Sequence, residues 1–210
     1  MPRVAEPLDV REAILEAATR LLERNGYRKM TMEDIAQEAH IGKSTIYGYF
    51  SNKEEVAISV VEAHWRKVES RWSEIAALSL SPKEKMTRML MFLVMSSFDK
   101  AQSHRASLDD TMASLRSLIV PRRENFYKTL VPSLTQVLEE GCHEKTFECD
   151  DTRRIAQTIL VCFSGLNPSN LSPRELGERE EIETRTRQVI ALMLTGLSYR
   201  PIEADLDAKN

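Results

Sequence analysis

Along most of the chain apolar residues return every three or four positions, the period of an amphipathic helix, and no alternating run of strand length interrupts them. The first stripe is Val10, Ala13, Ile14, Ala17, Ala18, Leu21 and Leu22. It predicts a helix over 10–24, with Asp9 and Glu12 as a capping pair and Gly26 as the stop. Two much shorter elements follow. Thr31 with Asp34 three residues on can cap a helix whose inward face is Ile35, Ala36 and Ala39. His40-Ile41-Gly42 interrupts it, since glycine takes positive φ cheaply and histidine does so more readily than most residues. The second short helix runs from Lys43 to Tyr49, with Ile46 and Phe50 turned inward. Seven residues do not hold a helix alone in water, so its neighbours must brace it.

Ser51-Asn52-Lys53-Glu54 has the form of a capping box and opens a long helix to about Ala77, with the stripe Val61, Trp65, Val68, Trp72 and Ile75. Ser81-Pro82-Lys83-Glu84 starts the next, with proline at its first position. Within that helix Met89 to Met95 has no polar face and should be buried. Further helices are expected over about 104–118 and 122–140, the latter kinked or split at Pro132. Two more are expected over about 151–165 and 180–198, joined by a polar, proline-bearing connection. Glycine and proline are scarce and aromatic residues are 6% of the chain. The fold class that follows is all-α with about nine helices. The expected organisation is a helix-turn-helix domain over 1–53, a larger helical domain over 54–199 and an acidic tail over 200–210.

Composition does not announce a partner. The net charge is −3, and residues 1–53 carry as many acids as bases. The charges are sorted, however. Arg24, Arg28 and Lys29 have no acid among residues 24–32, and Lys43 and Lys53 have none among residues 39–53. A modest basic rim around a small, hydroxyl-rich helix suits phosphate anchoring and base reading in a DNA major groove. An ordinary solvated helical hairpin has the same pattern.

Thr31, Asp34-Ile35-Ala36, Ala39, Thr45-Ile46-Tyr47, Tyr49-Phe50 and Lys53-Glu54-Glu55 resemble the DNA-binding region of the TetR family of bacterial transcriptional regulators. The likeness extends back through Val10–Leu15 and Gly26-Tyr27 and forward to about Ala63, roughly the first quarter of the chain. Two departures stand out. The family turn usually reads Ala-Gly-Val-Ser, here Ala39-His40-Ile41-Gly42, and Gly48 stands where a larger side chain is common. The resemblance implies DNA contacts from Lys43, Ser44, Thr45, Tyr47 and Tyr49, with Thr31 and Lys53 at phosphates. By chemistry, Lys43 can reach a guanine edge or a phosphate, and the Thr45 methyl can meet a thymine methyl. Tyr47 and Tyr49 can donate to phosphates, and Tyr49 can instead be a packing residue.

The resemblance further implies a homodimer on double-stranded DNA, with the last two helices of each chain forming the interface through Ile155, Ile159, Phe163, Ile182, Val189, Met193 and Leu197. Two recognition helices related by a twofold axis read a palindromic operator, which one short helix cannot do with useful specificity. It also implies repression relieved by a small-molecule effector held by the helical body. The expected lining is Trp65, Met89, Phe92, Met95, Phe98, Met112, Leu115 and Phe126. Adaptable methionines point to a lipophilic or aromatic effector, and Asp99, Asp109 or Asp110 could instead receive a cation. The alternative is a helical DNA-binding dimer with no effector, those residues simply filling a core.

No G-x-S-x-G, phosphate-binding glycine loop or H-E-x-x-H is present, so no enzyme activity and no cofactor are expected. Without a basic-plus-apolar leader or a spanning apolar run, a cytoplasmic protein with no membrane partner is expected. Cys162 is expected to be a buried free thiol, no metal site is assigned, and Cys142, His143 and Cys149 leave metal or redox chemistry open.

Overall fold

The computed structural model describes residues 7–103, 108–166 and 177–198, with the side chains of 7–9, 103, 108–110 and 112 outside that description. The connection over 167–176 and the expected acidic tail lie outside the described residues, as do His104 and the side chains of Asp9, Asp109, Asp110 and Met112. Among the described residues there are eight helices and no strand: α1 (Pro7–Lys29), α2 (Met32–Glu38), α3 (Lys43–Tyr49), α4 (Lys53–Ala76), α5 (Pro82–Ser103), α6 (Leu108–His143), α7 (Thr152–Ser164) and α8 (Arg179–Leu197).

Most helix starts follow from local chemistry. Thr31 and Asp34 make the expected reciprocal capping box on α2. Ser81 and Glu84 do the same for α5, which begins at Pro82. The box opening α4 lies one residue later than its sequence suggests. Asn52 Oδ1 accepts the Glu55 N–H at 2.8 Å, and the Glu55 carboxylate accepts the Ser51 N–H at 2.8 Å. Glu54 is thereby released for another role. Gly26, with φ 75° and ψ 168°, breaks α1 as expected, in a region open only to a residue without Cβ.

The expected number of helices is corrected. The helices expected over 104–118 and 122–140 are a single α6, so eight helices are described where about nine were expected. The helix runs through Pro121 and Pro132 without splitting. Each proline costs about 3 kcal/mol in a helix interior. Leu115, Ile119, Phe126, Leu130, Leu134, Val137 and Leu138 are buried along the same helix, and each contributes about 1.5–3 kcal/mol. Burial outweighs the two interruptions.

The chain divides into two compact units. The described part of the first is residues 7–68, 99–103 and 108–126. Its core unites the α1 stripe (Ile14, Ala17, Ala18, Leu21, Leu22) with Ile35, Ile46, Phe50, Val56 and Ala57, and with Leu115 and Ile119 of α6. Arg122 of α6 pairs with Glu62 of α4 at 3.1 Å, and Lys100 of α5 with Glu23 of α1 at 3.1 Å. The described part of the second unit is residues 69–98, 127–166 and 177–198. There Trp72, Met89, Leu90, Leu93, Val94 and Met95 are buried, while Met91 and Phe92 are half-buried. The Trp72 Nε1–H donates to the Leu130 carbonyl at 3.1 Å, satisfying the one polar atom of a fully buried indole.

In the second unit α7 turns Ala156, Ile159, Leu160 and Phe163 inward. Cys162 is exposed, against the expectation of burial, because it falls outside that stripe. The end of α6 is closed by paired backbone bonds: Thr146 N–H to the Gly141 carbonyl at 2.8 Å and Lys145 N–H to the Cys142 carbonyl at 3.1 Å. Lys145 takes the left-handed position at φ 58°. Phe147 is then buried directly against Gly141, where an added Cβ would lie 2.1 Å from its ring.

Candidate nucleic-acid interface

The two short helices lie in the first unit, and the turn between them uses the same closure. The Ile41 N–H donates to the Ala36 carbonyl at 2.9 Å and the His40 N–H to the Gln37 carbonyl at 3.1 Å. His40 takes the left-handed position at φ 55°. Gly42 does not use its freedom: at φ −69° and ψ 147° it is the N-cap of α3 and has no side chain to cap with. Histidine thus stands at the position that needs glycine, and glycine at the position that prefers serine.

With the turn so set, α3 buries Ile46 completely and presents Lys43, Ser44, Thr45, Tyr47 and Gly48 to solvent, Tyr47 at 50% exposure. A Cβ added at Gly48 meets nothing within 4 Å, so this part of the outer face has no side-chain relief. Tyr49 is half-buried and packs against the core, whereas Tyr47 does not. Phe50 is buried, with the Arg11 guanidinium 5.3 Å from its ring centroid. The α3 face is therefore convex, hydroxyl-bearing and attached to the unit by Ile46 and Phe50.

The remaining expected residues are already engaged. The Thr31 hydroxyl accepts the Asp34 N–H and donates to its carboxylate at 2.7 Å. The three N–H groups of the Lys53 ammonium are matched by the carbonyls of Tyr27, Arg28 and Met30, at 3.3, 3.3 and 3.1 Å. Its charge also sits 4.6 Å from the Tyr27 ring centroid. Lys53 thereby holds the start of α4 against the segment that follows the Gly26 break. Lys43 pairs with Glu33 at 3.2 Å, both side chains more than half exposed, so the pair is weak and separable.

Three contributions to this frame are not legible in the sequence. The Tyr27 hydroxyl donates to Glu54 at 2.6 Å, which holds the Glu54 carboxyl below its ordinary range. Burial, and then Glu54 itself, raises the Tyr27 hydroxyl. Arg20 and Arg24 both donate to Glu38, at 2.9 and 3.0 Å, and hold its carboxyl low. Arg24, part of the expected basic rim, is thus engaged with an acid on α2. Partners so distant along the chain carry no periodic signal that sequence reading could use.

The expected effector residues fall in both units. In the first, Trp65 and Phe126 stack with centroids 5.3 Å apart and planes 10° apart, and Leu115 is buried. In the second, Met89, Met95 and Phe98 are buried and Phe92 half-buried. Of the expected dimer residues, Ile159, Phe163 and Ile182 are buried within the chain, and Ile155, Val189, Met193 and Leu197 are half-buried.

This arrangement of α2, turn and α3 can be compared with known proteins. The family described as bacterial regulatory proteins, tetR family, matches residues 14–60, which span that arrangement. The HTH-type transcriptional regulator YhgD of Bacillus subtilis is 33% identical over 160 residues, 76% of this chain and 83% of its own. The chain belongs to the TetR family. A second relative of this TetR-family chain is the HTH-type transcriptional repressor KstR2 of Mycobacterium tuberculosis, 27% identical over 209 residues, 94% of this chain and 98% of its own. The crystal structure of a transcriptional regulator from Cytophaga hutchinsonii has the same fold, with a TM-score of 0.76 at 18% identity, covering 90% of this chain and 98% of that one. These relatives are transcriptional regulators. Among the described residues of this TetR-family chain, no helix is long and apolar enough to cross a membrane.

Proposed function

We propose that this TetR-family regulator is a cytoplasmic repressor that binds a palindromic operator as a homodimer and is released by a lipophilic or aromatic small molecule. The observation that carries the DNA reading is the outer face of α3, where Lys43, Ser44, Thr45 and Tyr47 are exposed around a fully buried Ile46. Ser44 and Thr45 are short enough to let the helix enter a major groove, and Tyr47 is long enough to reach a phosphate. Tyr49, half-buried, serves mainly to pack. Lys53 and Thr31 act first by setting the pose of α4 and α2, and touch phosphate only by exchanging a present partner.

The dimer reading draws support from α7 and α8. Their most exposed apolar residues are Val161 at 71% and Leu192 at 74%. On α7 Val161 shares its face with Thr158 and Gly165, and on α8 Leu192 shares its face with Gln188 and Gly196. A large apolar side chain next to a glycine (Gly165 just past the end of α7, Gly196 on α8) suits close packing of helix on helix. In this reading Val161 and Leu192 form the centre of the interface, flanked by the half-buried Ile155, Val189, Met193 and Leu197.

An effector would have to favour one arrangement of the chain over another, and DNA would then weaken effector binding by the same factor. The Trp65–Phe126 stack joins α4 to α6 within the unit that carries α3, so a ligand that parts those rings acts on the helix leading out of the DNA-reading segment. The full burial of Met89 and Phe98 favours the second reading, a DNA-binding dimer whose body is a solid core.

Selection of bound duplexes from a random pool, with affinity measured at two salt concentrations, tests the proposal. It expects an enriched palindrome whose half-sites lie about one helical turn apart. Salt-sensitive binding with no enriched sequence would overturn operator reading. Thr45→Arg and Tyr47→Ala should each lose at least about tenfold in affinity with melting behaviour and oligomeric state unchanged. Leu192→Glu should give a monomer by sedimentation; a persisting dimer would refute the interface.

A further inference from the structure

Apart from the DNA-reading surface, the second unit brings two thiols together. Cys142 lies in the last turn of α6 and Cys149 in the segment that leads to the N-cap of α7, and their sulfurs are 2.9 Å apart. Neither belongs to a loose loop. The peptide N–H groups of Lys145, Thr146 and Phe147 are tied back to Cys142 and Gly141, and the Phe147 ring is buried against Gly141. On the far side, the Glu148 N–H donates to the Leu197 carbonyl at 2.9 Å, at the end of α8. Backbone pinned on both sides thus delivers the two sulfurs to each other. A disulfide bond is about 2.0 Å long, so bond formation needs an approach of less than an ångström. Both cysteines are half-buried, so neither is sealed in the core. Among the described residues no three His, Cys, Asp or Glu side chains stand together as metal ligands, so the pair suits redox chemistry better than coordination.

We propose that Cys142 and Cys149 form a reversible oxidation site, closed to an intrachain disulfide by a small hydroperoxide. Cys142, as the thiolate, attacks the terminal peroxide oxygen. An S–O bond forms, the O–O bond breaks, and the departing alkoxide or hydroxide takes up a proton. The Cys142 sulfenic acid is then attacked by the Cys149 sulfur: an S–S bond forms, the S–O bond breaks, and the hydroxyl leaves as water with the proton of Cys149. Two thiols are oxidised by one electron each and the hydroperoxide is reduced by two. Burial first, and then the hydrogen bond and charge of Cys142, push the Cys149 thiol up to about 12, so it keeps its proton until that step and suits the resolving role. A dithiol reductant reopens the bond by exchange. The exposed Cys162 takes no part. Closure would clamp the end of α6 to the segment that leads into α7 and contacts α8, and the site stands whether or not α3 reads an operator.

The test uses the full chain carrying Cys162→Ser, exposed to hydrogen peroxide and assayed by thiol titration, intact mass and peptide mapping. The expected result is loss of both remaining thiols, a chain with no covalent link to another and lighter by two hydrogens, a mapped 142–149 link, and recovery of both thiols with dithiothreitol. Cys142→Ser and Cys149→Ser, each in the same background, should form no such product. Persistence of both thiols would overturn the proposal, as would oxidation giving only sulfinic acids or links between chains. Because the decisive product is sought in the Cys162→Ser chain itself, a folding defect in either control leaves the result readable.

Discussion

The ends of α2 and α6 use one backbone solution for two purposes. Each helix closes with a pair of reversed hydrogen bonds and a non-glycine residue in the left-handed region, His40 at φ 55° and Lys145 at φ 58°. What differs is what the chain does next. After His40, one half-buried residue, Ile41, packs on the core and α3 begins at once from a glycine that supplies no side-chain cap. After Lys145, Phe147 is buried against Gly141, and Asp151 caps α7 by accepting the Arg154 N–H at 2.9 Å. The frame around the first turn is braced from outside by polar ties: Arg20 and Arg24 on Glu38 at the end of α2, and, at the start of α4, the Lys53 ammonium on three carbonyls and the Tyr27–Glu54 pair. The second is braced from inside by an aromatic ring. A short helix that must show one whole face has few inward residues to anchor it, so its pose depends on neighbours. A helix end with no face to show can fill the space beneath itself.

The largest effect should come from breaking the apolar brace. Phe147→Ala should lose about 3 kcal/mol of stability in urea titration. Gly141→Ala would gain about 1 kcal/mol from helix propensity were the site open. Since its Cβ must displace the Phe147 ring, a net loss of about 2 kcal/mol is expected instead. A neutral or stabilising Gly141→Ala would mean that the second turn is not held by Phe147.

The polar brace should respond to pH. The Tyr27 hydroxyl is raised above its ordinary value of 10.0, so the folded chain keeps that proton to higher pH than the unfolded chain. Its contribution is therefore intact below pH 10 and lost as pH climbs above it. Glu54 is depressed below 4.5, so its contribution is present above pH 4.5 and lost as pH falls through its lowered value. Tyr27→Phe should cost about 1 kcal/mol near neutrality and remove its share of the alkaline decline. An unchanged alkaline limb would show that Tyr27 is not part of the brace.

The smallest effect tests what the turns share. His40→Gly and Lys145→Gly should each stabilise by about 0.5–1 kcal/mol, since the left-handed region costs an ordinary residue more than glycine loses in chain entropy. Equal gains would show that the closures are alike in backbone terms. A loss at either position would mean that its side chain carries a role of its own.

Much of the candidate site was legible because it is local. The capping pair Thr31–Asp34, the inward Ile46 and the outward Lys43, Ser44, Thr45 and Tyr47 follow from spacings of three and four residues. The turn was legible only in part: either His40 or Gly42 could take positive φ, and the cap geometry decided for His40. The α4 cap shifted from Ser51 to Asn52, and this freed Glu54 to meet Tyr27. Lys53 reads as a surface cation, yet its ammonium is consumed by carbonyls that the Gly26 break brings within reach.

The sequence by itself determined the helical class, the starts of α2 and α5 and the phase of α3, because caps and amphipathic period act over one or two turns. Only the tertiary structure decided that α6 runs through two prolines, since the burial that offsets them is collective along the helix. It alone placed Ile159, Phe163 and Ile182 inside the chain while leaving Val161 and Leu192 outside, because apolar residues on a helix do not state which neighbour they face. It alone brought Cys142 and Cys149 together, for a turn closed by Gly141 and Phe147 sets that distance and no spacing rule does.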